Sequence, residues 1–256
     1  QCPLCKAPAN KFKEVTEEYT IYHYQKDCRE KIKEIQSRNK THIIVGGTGL
    51  YIKGALYDYI FEETESKHDE IKAKYAHYTN EELHQYLASF DLQSAQDLHP
   101  NNRQRVLRAI EIYEESGKRK SDILEAQEHK PVYDIYFVGL TLPRPVLYER
   151  INKRVDFMIE QGLEEEVRTI YDSGLSRNAQ SMKAIGYKEW FDYFEGLKSK
   201  EEIIEEIKKH SRNYAKRQYT WFNNQFDVHW YDVNLEDFAS TIQNVLKDIK
   251  EWYEKG

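Results

Sequence analysis

The chain reads as an α/β protein with a helical insertion, on three observations. Short β-branched or aromatic runs at Thr41–Val45, Tyr133–Leu140 and Phe226–Tyr231 have strand character. Amphipathic stretches stand between them, and residues 62–98 form a polar tract with apolar residues at helical spacing. Strands alternating with helices build a sheet covered by helices, and a polar helical block between two strands reads as an insertion, here near 62–125. At 256 residues, 39% of them hydrophobic, the chain can bury a sizeable core. Net charge is −6, which excludes a uniformly basic nucleic-acid binder, so any RNA site must be a local basic patch on an acidic body. No apolar run approaches the ~18 residues of a membrane span and no basic-then-apolar leader is present, so a soluble, cytoplasmic monomer is expected. Three cysteines, an odd number, give no disulfide framework and fit a reducing compartment.

Residues 1–17 differ from the rest. They hold Cys2-Pro3-Leu4-Cys5 followed by Ala7-Pro8 and Phe12. From Tyr22 to Ser37, Tyr24, Cys28, Ile32 and Ile35 recur at helical spacing. Thr41–Val45, bounded by Gly46-Gly47, predicts a buried parallel strand, and Leu50–Leu56 a helix after the turn. Leu83, Leu87 and Phe90 mark a helix in the polar tract. His99-Pro100-Asn101-Asn102 signals the start of another, with Val106, Ile110 and Tyr113 on its apolar face and Gly117 at its end. Helices are predicted over Pro145–Ser173 and Lys200–Asn223, with shorter pieces near Lys188–Phe194. A closing helix is predicted over Leu235–Tyr253.

Four motifs carry possible chemistry. Cys2-x-x-Cys5 resembles the second metal knuckle of rubredoxin-like iron domains. Tetrahedral iron or zinc needs four ligands, and Cys28 alone does not replace the missing pair, so residues 1–17 read as a vestigial half knuckle with no metal. Gly46-Gly47-Thr48-Gly49 sits at a strand-to-helix turn, where backbone amides approach an anion and Thr48 offers a hydroxyl, although a plain tight turn has the same sequence. Arg103, Arg105 and Arg108 crowd the first turns of a helix. Cations there oppose the macrodipole unless an anion offsets them, so the stretch is either a phosphate site or a solvated arginine face. Lys208, Lys209, Arg212, Lys216 and Arg217 alternate with Tyr214, Tyr219, Trp221 and Phe222, a pattern suited to phosphates and unpaired bases. Glu201, Glu202, Glu205 and Glu206 precede them and offer ordinary i,i+4 partners instead.

In order and spacing, Ile43–Tyr51, His99–Arg105, Lys183–Lys188 and Ala215–Phe222, with Tyr148–Leu163 between, resemble tRNA dimethylallyltransferases from about Glu18 to Tyr231. The resemblance implies a P-loop NTPase-like parallel-sheet core, residues 18–61 and 126–256, with an inserted helical tRNA-binding domain at 62–125. It implies transfer of a dimethylallyl group from dimethylallyl diphosphate to the exocyclic amine of the adenosine 3′ of the anticodon, giving N6-isopentenyladenosine. Mg²⁺ and the tRNA anticodon arm are the implied cofactor and partner. Residue by residue, Thr48 matches the threonine beside the target adenosine. Gln104, Arg105, Val106, Leu107 and Arg108 match one tRNA-contacting stretch. Lys183, Ala184, Ile185, Gly186, Tyr187 and Lys188 match a second, and Lys216, Arg217, Gln218, Tyr219, Thr220, Trp221 and Phe222 a third. Lys72 stands where some members have a tRNA-contacting arginine, and Arg150 and Arg154 are diphosphate-side candidates.

The resemblance also implies parts that these 256 residues do not contain. Family members begin with a strand, a Gly-x-x-x-x-Gly-Lys-Thr loop and an Asp-Ser-x-Gln segment holding the general base, and no such sequence precedes Thr41. The core is therefore expected to lack its first strand and P-loop, and activity of the chain as given is in doubt. A catalytically dead tRNA-binding fragment and a small metal protein remain as alternatives.

Overall fold

A computed structural model describes residues 14–17, 19–61 and 68–255, with 68 and 69 as backbone only. The Cys2/Cys5 pair, expected to hold no metal, lies outside the described residues. The architecture is α/β, as the sequence predicts: helices surround a two-stranded parallel sheet.

Helix α1 (Ile21–Ser37) packs on α2 (Gly49–Leu56). Next come α3 (His68–Lys74), α4 (Asn80–Phe90), α5 (Leu92–Asp97), α6 (Arg103–Ser116) and α7 (Lys120–Glu125). Their boundaries follow from local chemistry. The Thr79 hydroxyl accepts from Glu82 N at 3.2 Å while Glu82 Oε2 accepts from Thr79 N at 2.7 Å, a reciprocal cap that starts α4. Asp91, 1% exposed, accepts from Ser94 N at 3.0 Å and Ser121 N at 3.1 Å, so one carboxylate starts α5 and ties α7 to it. Gly117 ends α6 at φ 70°, a left-handed cap that suits glycine. These helices share a core of residues 71–110, with Leu83, Leu87, Val106 and Ile110 fully buried. Each such side chain contributes about 1.5–3 kcal/mol relative to exposure.

Strand β1 (Phe137–Thr141) leads into α8 (Arg144–Glu160) and α9 (Leu163–Asp172). The single helical stretch expected over 145–173 is thus two helices, because Gly162 adopts φ 93° between them. A 3₁₀ turn (Ser181–Lys183) and α10 (Trp190–Phe194) precede the long α11 (Lys200–Gln225), which Ser199 and Glu202 cap reciprocally. Trp190, Val167, Ile203 and Ile207 form a second core beneath α8–α11. Strand β2 (Val228–Asp232) pairs in parallel with β1, Phe137 opposite Val228 and Thr141 opposite Asp232. Helix α12 (Phe238–Lys255) docks on this ribbon where Tyr231 OH donates to Asp248 Oδ2 at 2.8 Å. A third core joins Ile32 of α1, Ile52, Ala55 and Leu56 of α2, and Phe226, with Phe137, Trp221 and Phe222 against it.

Thr41–Val45 departs from expectation. It is irregular, and Ile43 and Val45 are 83% and 92% exposed. Its β-branched run has strand propensity, but a strand needs a ladder, and among the described residues β1 and β2 pair only with each other. Beside it lies an apolar cleft of about 490 Å³, lined by Tyr24, Cys28, Ile32, Ile35 and Ile44 among others. Burial pushes the Cys28 thiol up and the Tyr24 hydroxyl up to about 12. Among the described residues, no helix is long and apolar enough to cross a membrane.

Candidate transfer site and nucleic-acid face

The turn before α2 is built against α11. Gly47 O accepts from Gln218 Nε2 at 2.9 Å and from Tyr214 OH at 3.3 Å. At Gly49 the approach is to a ring face: a Cβ there would lie 2.1 Å from Trp221 Cε3, so only glycine lets the helix start flush on the indole. Thr48 sits between these contacts as the residue preceding α2. It is exposed, and its side chain makes no cap hydrogen bond. The structure therefore brings together Thr48, Gln218 and Trp221, which the sequence offers from opposite ends of the chain.

Helical periodicity divides the basic run of α11 between two roles. Lys208 is held by Asp156 at 2.8 Å and Glu205 at 3.1 Å, and these hydrogen-bonded carboxylates push its ammonium up. Arg212 Nη1 donates to Asn152 Oδ1 at 2.6 Å. Both side chains fasten α11 to α8 instead of facing a ligand. Lys216 and Arg217 are exposed and carry no carboxylate partner among the described residues, and the Arg217 guanidinium lies 5.7 Å from the Tyr214 ring. They line a cleft of about 460 Å³ with Asn213, Thr220, Trp221, Asn224 and Gln225. Asn213 and Asn224 were missed in the sequence, although Asn213 lies three and four residues before Lys216 and Arg217 and Asn224 eight and seven residues after them, spacings that place both on the same helical face. Tyr219 is 47% exposed, its ring 4.5 Å from that of Trp230. Thr220 donates its hydroxyl to Lys216 O, and Phe222 packs into the third core.

The arginine-rich start of α6 resolves in the same way. Arg103 donates to Tyr75 O and Tyr78 O, both at 2.7 Å, so it ties α6 to the end of α3. Arg108 pairs with Glu111, a carboxylate with 0% side-chain exposure, at 2.9 Å. Val106 and Leu107 belong to the helical core, so their side chains hold α6. Gln104 and Arg105 remain exposed. Lys120 of α7 lies within electrostatic reach of Arg105, and burial, then that guanidinium, pushes its ammonium down. Lys72 is exposed on α3.

In the Lys183–Lys188 loop, Lys183 and Ala184 are exposed and Lys188 is half-buried. Ile185 and Tyr187 pack on the second core, and Gly186, at φ 94°, donates its N–H to Glu189 Oε2 at 2.9 Å. Glu189 also holds His210 Nδ1 at 2.7 Å, so a buried carboxylate fixes this loop to α11. Arg150 and Arg154 are exposed on α8, with no carboxylate partner among the described residues. No group of three or more His, Cys, Asp or Glu able to hold a metal ion occurs among the described residues.

Comparison with known proteins agrees with this geometry. Over 241 residues, 93% of the chain, it is 45% identical to the tRNA dimethylallyltransferase of Geobacillus thermodenitrificans, covering 76% of that protein. The crystal structure of full-length tRNA isopentenylpyrophosphate transferase from Bacillus halodurans is 36% identical and superposes with a TM-score of 0.65, covering 96% of this chain and 78% of that one. A eukaryotic dimethylallyltransferase acting on tRNA is 25% identical with a TM-score of 0.77, over 94% and 63% of the two chains. Residues 10–225 match the IPP transferase family, a span that starts inside the segment set apart as residues 1–17. By sequence and fold, the chain belongs to the IPP transferase family.

Proposed function

We propose that the chain acts on tRNA as a dimethylallyltransferase, with the anticodon arm on the exposed Gln104–Arg105, Lys183–Ala184 and Lys216–Arg217 surfaces and the target adenosine beside Thr48. The observation that carries this reading is the seating of the Gly47–Gly49 turn on Gln218 and Trp221, next to two cations without carboxylate partners among the described residues. In the reaction a bond forms between the exocyclic nitrogen and the first carbon of the dimethylallyl group. The bond from that carbon to the diphosphate oxygen breaks, diphosphate leaves, and the nitrogen loses its proton to the aspartate of the Asp-Ser-x-Gln segment that the resemblance implies and that the chimera below restores. Arg150 and Arg154 are cations suited to the departing diphosphate. Mg²⁺ bound with the diphosphate would neutralise charge on the leaving group. The described residues form no carboxylate or histidine cage for it, so the ion is expected to arrive with the substrate.

The test is transfer of labelled dimethylallyl diphosphate to unmodified tRNA by the chain, and by a chimera with the family's strand, phosphate loop and Asp-Ser-x-Gln segment ahead of Tyr19. Labelled tRNA from the chimera, abolished by Thr48→Ala, is the expected result. No labelled tRNA, or a harmless Thr48→Ala, would overturn the reading.

A further inference from the structure

Helix α2 determines where Thr48 stands, yet it has only eight residues, spanning about 12 Å. So short a helix has little stability of its own, since nucleation is costly and each end leaves backbone groups without internal partners. Side chains from elsewhere hold both ends. At the amino end, Gly47 and Gly49 rest on Gln218 and Trp221. At the carboxyl end, two residues one turn apart on α1 reach across. Gln25 Nε2 donates to Gly54 O at 2.6 Å and Tyr59 O at 2.8 Å. Arg29 donates through Nε to Ala55 O at 2.9 Å and through Nη2 to Tyr57 O at 2.6 Å. Val132 N takes the carbonyl between them, Leu56 O, at 2.9 Å.

All four side-chain donations fall on one stretch, residues 54–59. Gln25 is only 8% exposed, so water does not readily replace its amide. Arg29 places a cation at the negative end of a helix and makes charge-assisted bonds in a fixed fork. We propose that Gln25 and Arg29 are positioning residues, a strut that fixes Thr48 against α11 from the far end of α2. The proposal rests on the reading of Thr48 as the residue beside the target adenosine.

The test uses the full chain, the variants Arg29→Met, Arg29→Lys, Gln25→Leu and Thr48→Ala, and two readouts. The first is amide hydrogen exchange in residues 49–57, with residues 203–207 of the second core as internal control. The second is emission from an anticodon-arm RNA carrying 2-aminopurine in place of the target adenosine. Arg29→Met and Gln25→Leu are expected to speed exchange at 49–57 by about 10- to 100-fold and leave 203–207 unchanged, with Arg29→Lys recovering part of the protection. Bound emission should change in Arg29→Met as it does in Thr48→Ala, while RNA affinity, set by cations elsewhere, stays within about twofold. Unchanged exchange at 49–57, an equal rise at 203–207, or wild-type emission from Arg29→Met beside altered emission from Thr48→Ala would each overturn the strut. If Thr48→Ala leaves emission unaltered, or the RNA does not bind, the reading of Thr48 falls, and the exchange data alone judge the strut.

Discussion

Replacing Gly49 by alanine sets two effects of opposite sign against each other. Alanine is the better helix former, favoured by at most about 1 kcal/mol over glycine within a helix. The new methyl, however, would lie 2.1 Å from Trp221 Cε3 and 2.2 Å from Cζ3, where ordinary contacts begin beyond 3.4 Å. The ring is wedged against Phe222 and Phe226, with centroids 5.7 and 5.4 Å away, and has little room to retreat. Overpacking of this kind costs about 1–3 kcal/mol, so packing should win and Gly49→Ala should destabilise by about 1–2 kcal/mol. Gly47 is the control. Its added methyl would meet the far end of the Gln218 side chain, which can swing away, so Gly47→Ala should cost only about 0.5–1.5 kcal/mol for the lost hydrogen bond. Urea unfolding followed by far-ultraviolet circular dichroism measures both. Repeating Gly49→Ala in a Trp221→Leu background should remove the penalty, a coupling of about 1–3 kcal/mol. A stabilised Gly49→Ala protein, or the same cost with and without the indole, would refute the close approach.

Neutralising Lys216 and Arg217 together should flatten the slope of log RNA affinity against log salt by about 1–2, measured by filter binding from low to moderate salt, and an unchanged slope would mean that the pair faces only solvent. Arg105→Ala should weaken RNA binding with stability intact, whereas Arg108→Ala should lower stability by about 1–3 kcal/mol, because it takes a cation from the buried Glu111. Asp192, hydrogen-bonded by Lys198 at 2.9 Å and by Arg177, has its carboxyl held below the usual range, so the stability it contributes is present above about pH 4 and lost as pH falls through the depressed value. Asp192→Asn should flatten the acid limb of stability against pH, and an unaltered limb would count against the ion cluster. The 256 residues contain no Gly-Lys-Thr phosphate loop, so their turnover as an isolated polypeptide should fall at least about 10²-fold below that of the chimera in the same labelled-diphosphate assay.

What the sequence disclosed follows the range of the forces involved. Helices α1, α4 and α6 were legible because their signals are local: apolar residues every three or four positions, Asn102 ahead of Arg103, and Gly117 at the close. Thr41–Val45 misled because branching at Cβ records a preference for extended backbone and says nothing of a neighbouring ladder. The cation runs were half legible. Their composition suggested an anion-binding surface, but only the fold decides that Lys208 meets Asp156 of α8, Arg103 meets carbonyls beyond α3, and Lys216 and Arg217 line an open cleft. Family resemblance marked Thr48 and Gln218 as site residues. The bond that joins their two segments, from Gln218 to the glycine before Thr48, spans 171 positions and leaves no periodic trace.

That separation also orders events in time. During synthesis the Gly47–Gly49 turn leaves the ribosome long before Gln218 and Trp221, and the chain in between must close a loop of 171 residues before they meet. Helices α3–α7, whose core is drawn from residues 71–110, can pack meanwhile with local contacts alone. The seat of the Gly47–Gly49 turn is then completed only after that helical block has packed. A nascent polypeptide released before α11 would carry a packed helical block and a basic α6 but no seat for Thr48. Ribosome-bound chains ending at residue 199 should accordingly protect the α4–α6 amides from exchange while leaving those of α2, held only at its carboxyl end by Gln25 and Arg29, less protected than in the full chain, and that protection should rise once residues to 225 have emerged.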